Sequence, residues 1–184
     1  MIIVITKPEF FEGEADRIVH LLDSGQADLI HIRKPQVSIA GGDMTARLES
    51  LIQALPARLY QRLVLHDCHE LAVKYRLRGV HLNSRHPQPP VGWSGAVSIS
   101  CHSLQELAAC RHQPFDYMSL SPVFDSISKP GYQSAFSKEQ IAAALEQGLI
   151  DQRVMALGGV TFDRVEEVKQ MGFGGAMILG DAWK

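Results

Sequence analysis

The feature that most constrains the fold is a series of eight short apolar runs with amphipathic stretches between them. The runs are Ile2 to Ile5, Leu29 to Ile32, Leu63 to Leu65, Gly79 to Leu82, Val97 to Ile99, Tyr117 to Leu120, Val154 to Leu157 and Gly175 to Leu179. Val, Ile and Leu dominate them. Runs this short and this continuous suit strands buried on both faces of a parallel sheet. Parallel neighbours need crossovers, and the intervening stretches supply them. Glu14 to Leu22 sets Ile18, Leu21 and Leu22 at helical spacing, and Thr45 to Leu55 does so with Leu48, Leu51, Ile52 and Leu55. Ser103 to Cys110 opens on Ser with Glu106 three residues later, a capping-box pattern. Ser137 to Leu145 and Thr161 to Met171 are comparable, with Thr161 as a cap for the second. Leu71 to Arg78 leaves room for two helical turns at most. The Pro-rich stretch His86 to Pro90 reads as a loop.

Strand and helix in alternation define an α/β fold. A closed barrel and an open doubly wound sheet both fit that alternation. Eight strands with no evident switch point favour the barrel, a short single-domain parallel (β/α)8 TIM barrel over residues 1–184. The chain runs out just after the eighth strand, so the final helix is expected to be missing or truncated.

The net charge of −2 offers no global attraction for nucleic acid or an acidic membrane surface, so neither is expected as a partner. An anionic ligand needs a local basic site instead. No apolar run approaches a bilayer span. The first run stops at Pro8 and is too short for a signal peptide. Three cysteines, Cys68, Cys101 and Cys110, without CxxC spacing suit a reducing compartment, and the cytoplasm is the expected location.

Polar residues gather where the apolar runs end. His31-Ile32-Arg33-Lys34 closes the second run and His66-Asp67 the third. His81 sits in the fourth. Ser100-Cys101-His102-Ser103 closes the fifth, Ser119-Leu120-Ser121-Pro122 the sixth, Gly158-Gly159 the seventh and Gly180-Asp181 the eighth. In a parallel barrel these ends converge on one rim, where such folds build their sites. Side chains alternate along a strand, so His31 and Arg33 share one face, as do Ser98, Ser100 and His102. Ile30, Ile32, Val97 and Ile99 then face the helices. Gly158-Gly159 and Leu179-Gly180 bring main-chain N–H groups close to an anion, and barrels often hold phosphate between the loops after strands seven and eight. His69, His86 and His112 have no nameable partner and read as ordinary surface or core residues. Trp93 and Trp183 read as packing or rim residues.

These motifs, taken in order, resemble thiamine phosphate synthase and the TenI-like thiazole tautomerases over essentially the whole chain. The matching stretches are LIHIRK (29–34), LVLHD (63–67), GVHL (79–82), SISCHS (98–103), DYMSLSPVFDSISK (116–129), VMALGGV (154–160) and GGAMILG (174–180). A synthase of this kind joins an aminopyrimidine methyl diphosphate to a hydroxyethylthiazole phosphate and releases pyrophosphate. The resemblance then implies pyrophosphate contacts from Arg33, Lys34 and Lys129, with Ser126 and Ser128 in place of a pair of threonines. It implies magnesium as cofactor, held at Asp67. The amides of Gly158, Gly159, Leu179 and Gly180 are expected to hold the thiazole phosphate, with Ser100 close by.

Several positions depart from the synthase pattern. His31 stands where the synthases carry Gln, Pro35 where they carry Lys, and His66 where they carry Asn. Their second magnesium Asp falls at about His86, beside Arg85. Losing a carboxylate weakens a magnesium site, because that ion needs hard oxygen ligands. The departures favour the tautomerase branch, whose proton transfers need no cofactor. There the resemblance implies His102 as general acid and base, Arg33 as partner of the substrate carboxylate and His31 as an orienting group. The synthase comes second, and a non-catalytic binder of thiazole phosphate third. A metal hydrolase on His66, Asp67, His69 and His81 is the weakest reading, because those side chains need not converge. The partner in each leading case is a phosphorylated small molecule. Relatives are often homo-oligomers.

Overall fold

In a computed structural model of the protein the described residues are 1–35, 44–125 and 134–184. The eight apolar runs form β1 (Ile2–Ile5), β2 (Leu29–Ile32), β3 (Leu63–Leu65), β4 (Gly79–Leu82), β5 (Ala96–Cys101), β6 (Tyr117–Leu120), β7 (Val154–Ala156) and β8 (Gly175–Ile178). They pair in parallel in chain order, and β8 returns to β1, which closes the (β/α)8 barrel. Among the described residues six α-helices supply crossovers: α1 (Glu14–Asp23), α2 (Met44–Ala54), α3 (His69–Lys74), α4 (Leu104–Cys110), α5 (Lys138–Glu146) and α6 (Val165–Gln170).

One crossover departs from the alternation, and the helix after β8, expected to be missing or truncated, is a single turn. Among the described residues no helix joins β4 to β5, and a single 3-10 turn, Asp181–Trp183, follows β8. The β4–β5 connection carries Pro87, Pro89 and Pro90, and proline removes the N–H that a helix interior needs. Trp93 folds back instead, its indole N–H donating to the Ala96 carbonyl at 3.2 Å. Without a helix above them, Val97 and Ile99 stay only half-buried. After β8, Trp183 donates to the Ile5 carbonyl at 2.8 Å and packs edge-on against Phe11.

The two-residue period of the strands makes two cores. Val4, Ile30, Leu65, Val80, Met118, Val154 and Ile178 point outward and meet Ile18, Leu22, Ile52, Leu107, Ile141 and Val168 of the helices. Each such side chain contributes roughly 1.5–3 kcal/mol when fully buried. Ile3, Ile5, Leu29, Tyr117, Met155 and Met177 point inward as a separate cluster. The interior is therefore two-sided. β7, β8 and β1 give it an apolar wall, while β2 to β6 add His31, His81, Ser98 and Ser119, all buried. Register levels the polar side, with His81 paired to Ser98, Ser98 to Tyr117 and Ser100 to Ser119. Among the described residues no helix is long and apolar enough to cross a membrane.

Candidate functional site

A cavity of about 820 Å³ opens at the carboxyl ends of the strands. That is within the range of small-molecule sites. Ile5, Leu157, Met177 and Leu179 line its apolar side. Arg33, His66, His81, Arg85, Ser100 and His102 line the opposite side. Strand alternation accounts for this set: Arg33 lies two residues beyond the inward His31, and His102 two beyond Ser100.

The anion corner lies between β7 and β8. Gly158 and Gly159 take φ of +91° and +64°. A Cβ on Gly158 would lie 2.7 Å from Pro122, and one on Gly159 would run into the Asp125 carbonyl and the Phe124 side chain. Only a residue without Cβ allows this turn at so close an approach. Among the described residues the N–H groups of Gly159, Val160 and Gly180 have no protein acceptor, and all three residues line the cavity. Unsatisfied amides clustered after a strand form a nest for an anion. Leu179 lines the same corner. Asp181 also lies here, but its carboxylate accepts from the Phe162 N–H at 3.0 Å and pairs with Lys184 at 2.8 Å. The Lys184 hydrogen bond holds that carboxyl below its ordinary value. Asp181 was legible in the sequence as part of the polar step that closes the eighth run, whereas Lys184 was not, because its place depends on how the chain turns after β8.

His102 is exposed at the rim, its Nδ1 3.1 Å from the Ser121 hydroxyl. Its backbone N–H donates to the Glu106 carboxylate at 2.7 Å, and Ser103 Oγ accepts from the Glu106 N–H at 3.1 Å. The capping pair read from the sequence thus forms, with Glu106 reaching one residue further back than in a capping box, and it fixes the backbone that carries His102.

Three expected site residues are placed differently. Lys34 follows the inward Arg33, so alternation turns it outward. Its ammonium is buried against the Glu14 carboxylate at 2.5 Å and donates to the carbonyls of Lys7 and Glu9 at 2.8 Å each. Burial lowers the Lys34 pKa and raises that of Glu14, each partly countered by the other. Lys34 is thus a structural cation, and the phosphate contact expected of it is corrected. His31 is fully buried one layer below the cavity, so it does not touch a ligand ring directly. Asp67 does not line the cavity either. Its Oδ1 is held by Arg85 at 2.8 Å, with His86 at 3.6 Å, while its buried Oδ2 has no partner. A carboxylate already taken by a guanidinium, with no second carboxylate beside it among the described residues, is a poor magnesium site. The described residues around Asp67 do not fit that ion. Ser126, Ser128 and Lys129 lie outside the described residues.

Beneath the cavity sits a group of which only parts stood out in the sequence. His31 Nδ1 and His66 Nε2 share a hydrogen bond of 2.9 Å, and His31 Nε2 lies 2.5 Å from the Tyr117 hydroxyl. His66 and His81 stack with ring centres 4.2 Å apart. His81 contacts Ser98 through Nδ1 and Ser100 through Nε2, both at 2.8 Å, and the Ser119 hydroxyl donates to Ser100 at 3.3 Å. Burial lowers all three histidines, with neighbouring positive groups adding to the effect. His31 and His66 fall well below their ordinary value and His81 to about 3. Burial pushes the Tyr117 phenol up to about 12. All four groups are therefore neutral near pH 7. Tyr117 was missed, although Tyr117, Ser119 and Ser121 alternate toward the face of Ser121.

The sequence profile of the family described as thiamine monophosphate synthase matches residues 2–180. The chain belongs to this family. A solved thiamine phosphate pyrophosphorylase from Bacteroides thetaiotaomicron is 36% identical, with 99% of this chain and 84% of that one covered at a TM-score of 0.84. A pyrophosphorylase structure from Pyrococcus furiosus, 20% identical over 98% of this chain and 89% of its own, shares the fold at a TM-score of 0.73. Among curated relatives, the thiamine-phosphate synthase of Latilactobacillus sakei is 28% identical over 133 residues, which is 69% of this chain and 58% of that protein. This chain thus spans less than two thirds of that relative. The thiamine-phosphate synthase of Geobacillus thermodenitrificans is 24% identical over 89% of this chain and 75% of its own length. These relatives carry the name of the synthase, so they favour the reading that the sequence put second over the tautomerase it put first.

Proposed function

We propose that this member of the thiamine monophosphate synthase family is an enzyme of thiamine biosynthesis. It holds a hydroxyethylthiazole phosphate at the β7–β8 corner and couples it to an aminopyrimidine methyl diphosphate. The carrying observation is the set of unsatisfied Gly159, Val160 and Gly180 amides at the edge of an apolar wall. The names of the relatives support the coupling. In that reaction the bond from the pyrimidine methylene to the diphosphate oxygen breaks, and the leaving pyrophosphate takes the electron pair. The thiazole nitrogen then donates its lone pair to form the new carbon–nitrogen bond. The β7–β8 amides hold the thiazole phosphate, and Ile5, Met177 and Leu179 offer the rings an apolar surface. Arg33 and Arg85 receive the departing charge, and guanidinium groups suit phosphate oxygens geometrically. Because the Asp67 region does not fit magnesium, no step here runs through that ion.

A second reading is the metal-free thiazole tautomerase. It is favoured by the hold of Arg85 on Asp67 and by His102 at the rim beside Ser121. His102 would then remove and return the migrating proton. One pair of assays separates the two. Purified full-length protein receives both coupling substrates with and without magnesium, and pyrophosphate and thiamine phosphate are measured. In parallel it receives the carboxylated thiazole phosphate tautomer, and aromatisation is followed. Coupling without aromatisation supports the first reading. Aromatisation without coupling overturns it in favour of the second. Tight thiazole phosphate binding with neither turnover overturns both and leaves a non-catalytic binder. Three cysteines with no disulfide between them among the described residues suit the cytoplasm as the place of work.

A further inference from the structure

No proton or bond in the coupling step above passes through His31, His66 or His81, which cluster at the cavity floor. We propose that His31, His66 and His81 form a binding site for one divalent transition-metal ion of the imidazole-preferring kind, zinc foremost. Each offers one ring nitrogen, and these three atoms lie within 4.8 Å of one another. The residues come from β2, from the end of β3 and from β4, three strands hydrogen-bonded side by side. His31 and His81 are thus set by the barrel itself, and His66, one residue beyond β3, is tied to it by its N–H donating to the Ile32 carbonyl at 3.2 Å.

The detailed geometry suits an ion. His31 Nδ1 and His66 Nε2 are 2.9 Å apart. Two nitrogens on a tetrahedral zinc, each bonded at about 2.0–2.1 Å, lie about 3.3 Å apart. An ion can take the place of the shared proton once that contact opens by about 0.4 Å and the two rings turn so that both lone pairs meet it, with His81 tilting out of its stack on His66. The far nitrogens of two of the three rings are already supported. Tyr117 holds His31 Nε2, and whichever nitrogen of His81 turns to the ion, the other keeps a serine hydroxyl. Such outer partners fix the tautomer and ring orientation of metal-ligating histidines. Burial keeps all three rings neutral, which is the ligating form.

The donor set selects the ion. Three imidazoles without a carboxylate suit zinc, nickel, copper or iron rather than magnesium or calcium, which take oxygen ligands. His66 and His81 also line the cavity, whereas His31 lies below it. The ion would keep a coordination position toward the bound ligand, the arrangement of open three-histidine zinc sites. The site is separate from Asp67 and independent of which reaction the cavity performs. Two of its members, His31 and His66, stand where the synthase pattern has Gln and Asn, so those amides are natural replacements.

The test is calorimetric titration of chelator-treated, full-length protein with zinc chloride, with bound metal counted by mass spectrometry. The wild type should bind one equivalent. His31→Gln and His66→Asn should each weaken binding at least about 100-fold, beyond the usual loss from removing an outer partner. His86→Gln, which alters the neighbouring Asp67 group, and His20→Gln on the exposed face of α1 should leave it unchanged. If a histidine variant fails to fold, cobalt substitution in the wild type decides the matter. A visible spectrum of tetrahedral nitrogen coordination supports the site, and an octahedral aquo-type spectrum overturns it. No saturable binding, or one equivalent that survives both His31→Gln and His66→Asn, or that is lost in His86→Gln, also overturns it.

Discussion

The His102 imidazole stands at the rim on a backbone fixed by the Glu106 contact, so its replacement should change chemistry and not shape. If the cavity aromatises the carboxylated thiazole, His102→Ala should slow that step at least about tenfold, at the modest end of general acid–base effects. Thiazole phosphate affinity should stay within about threefold, because that anion is held across the mouth. Stopped-flow aromatisation with parallel calorimetry measures both, and an unchanged rate removes His102 from the reaction. Lys34 carries the opposite prediction. Lys34→Met leaves the Glu14 carboxylate buried without its cation, a loss of about 3–5 kcal/mol in urea unfolding. The fraction that remains folded should bind thiazole phosphate as well as the wild type. A clear drop in its affinity would return Lys34 to the phosphate site. The two residues also show what a sequence discloses at this scale. Strand alternation places Arg33, Ser100 and His102 on the cavity face, and it also turns Lys34 away. Motif similarity alone drew Lys34 into the site. The contact of His31 with Tyr117 spans the barrel interior from β2 to β6, and no local pattern announces a pair that meets across a closed sheet.

The glycine turn after β7 concentrates both backbone strain and anion binding into a few residues. Gly159→Ala puts a Cβ at positive φ against the Asp125 carbonyl and the Phe124 side chain. A non-glycine residue in such a conformation costs of order 1–3 kcal/mol, and any relief by backbone movement withdraws the Gly159 and Val160 amides from the cavity. The variant should lose about tenfold or more in thiazole phosphate affinity, with its melting temperature lowered. Full affinity would show that the anion binds elsewhere. Element identity was plain from the sequence, since eight compact apolar runs admit few other folds. Boundaries were less so: the fifth run extends from Val97–Ile99 to Ala96–Cys101, and the stretch after β7 divides into a 3-10 turn, Phe162–Arg164, and α6. Strand ends are set by pairing with both neighbours, as where Cys101 meets Leu120, and such pairing is invisible to a single run. The missing β4–β5 helix was partly foreshadowed by its prolines. The half-exposed Val97 and Ile99 were not, because their burial depends on what the crossover fails to cover.

At the scale of the whole barrel, the neutral histidine cluster ties stability to pH. The three rings face one another inside the sheet, with Tyr117 across the interior and Arg33 and His69 adding positive charge nearby. No carboxylate is among the causes that shift them, so nothing there rewards protonation. In the unfolded chain each histidine takes a proton near pH 6.5. In the folded barrel burial holds each value lower, to about 3 for His81. Below pH 6.5 the unfolded state therefore binds more protons than the folded one, and stability falls as pH falls. The loss begins at the unfolded value and continues to the folded one, at up to about 1.4 kcal/mol per pH unit for each group. Three groups acting together approach 4 kcal/mol per unit, against a total stability of about 5–15 kcal/mol for a typical domain. The metal-free barrel should accordingly unfold in acid with a midpoint near pH 5, before most carboxylates titrate. The double variant His31→Gln, His66→Asn removes two of the three proton sinks and should shift that midpoint downward by about half a unit or more. Circular dichroism across a pH series, with chelator present, measures both. A midpoint unmoved in a folded double variant would mean that other groups govern acid unfolding, and that the rings are hydrated rather than sealed beneath the cavity floor.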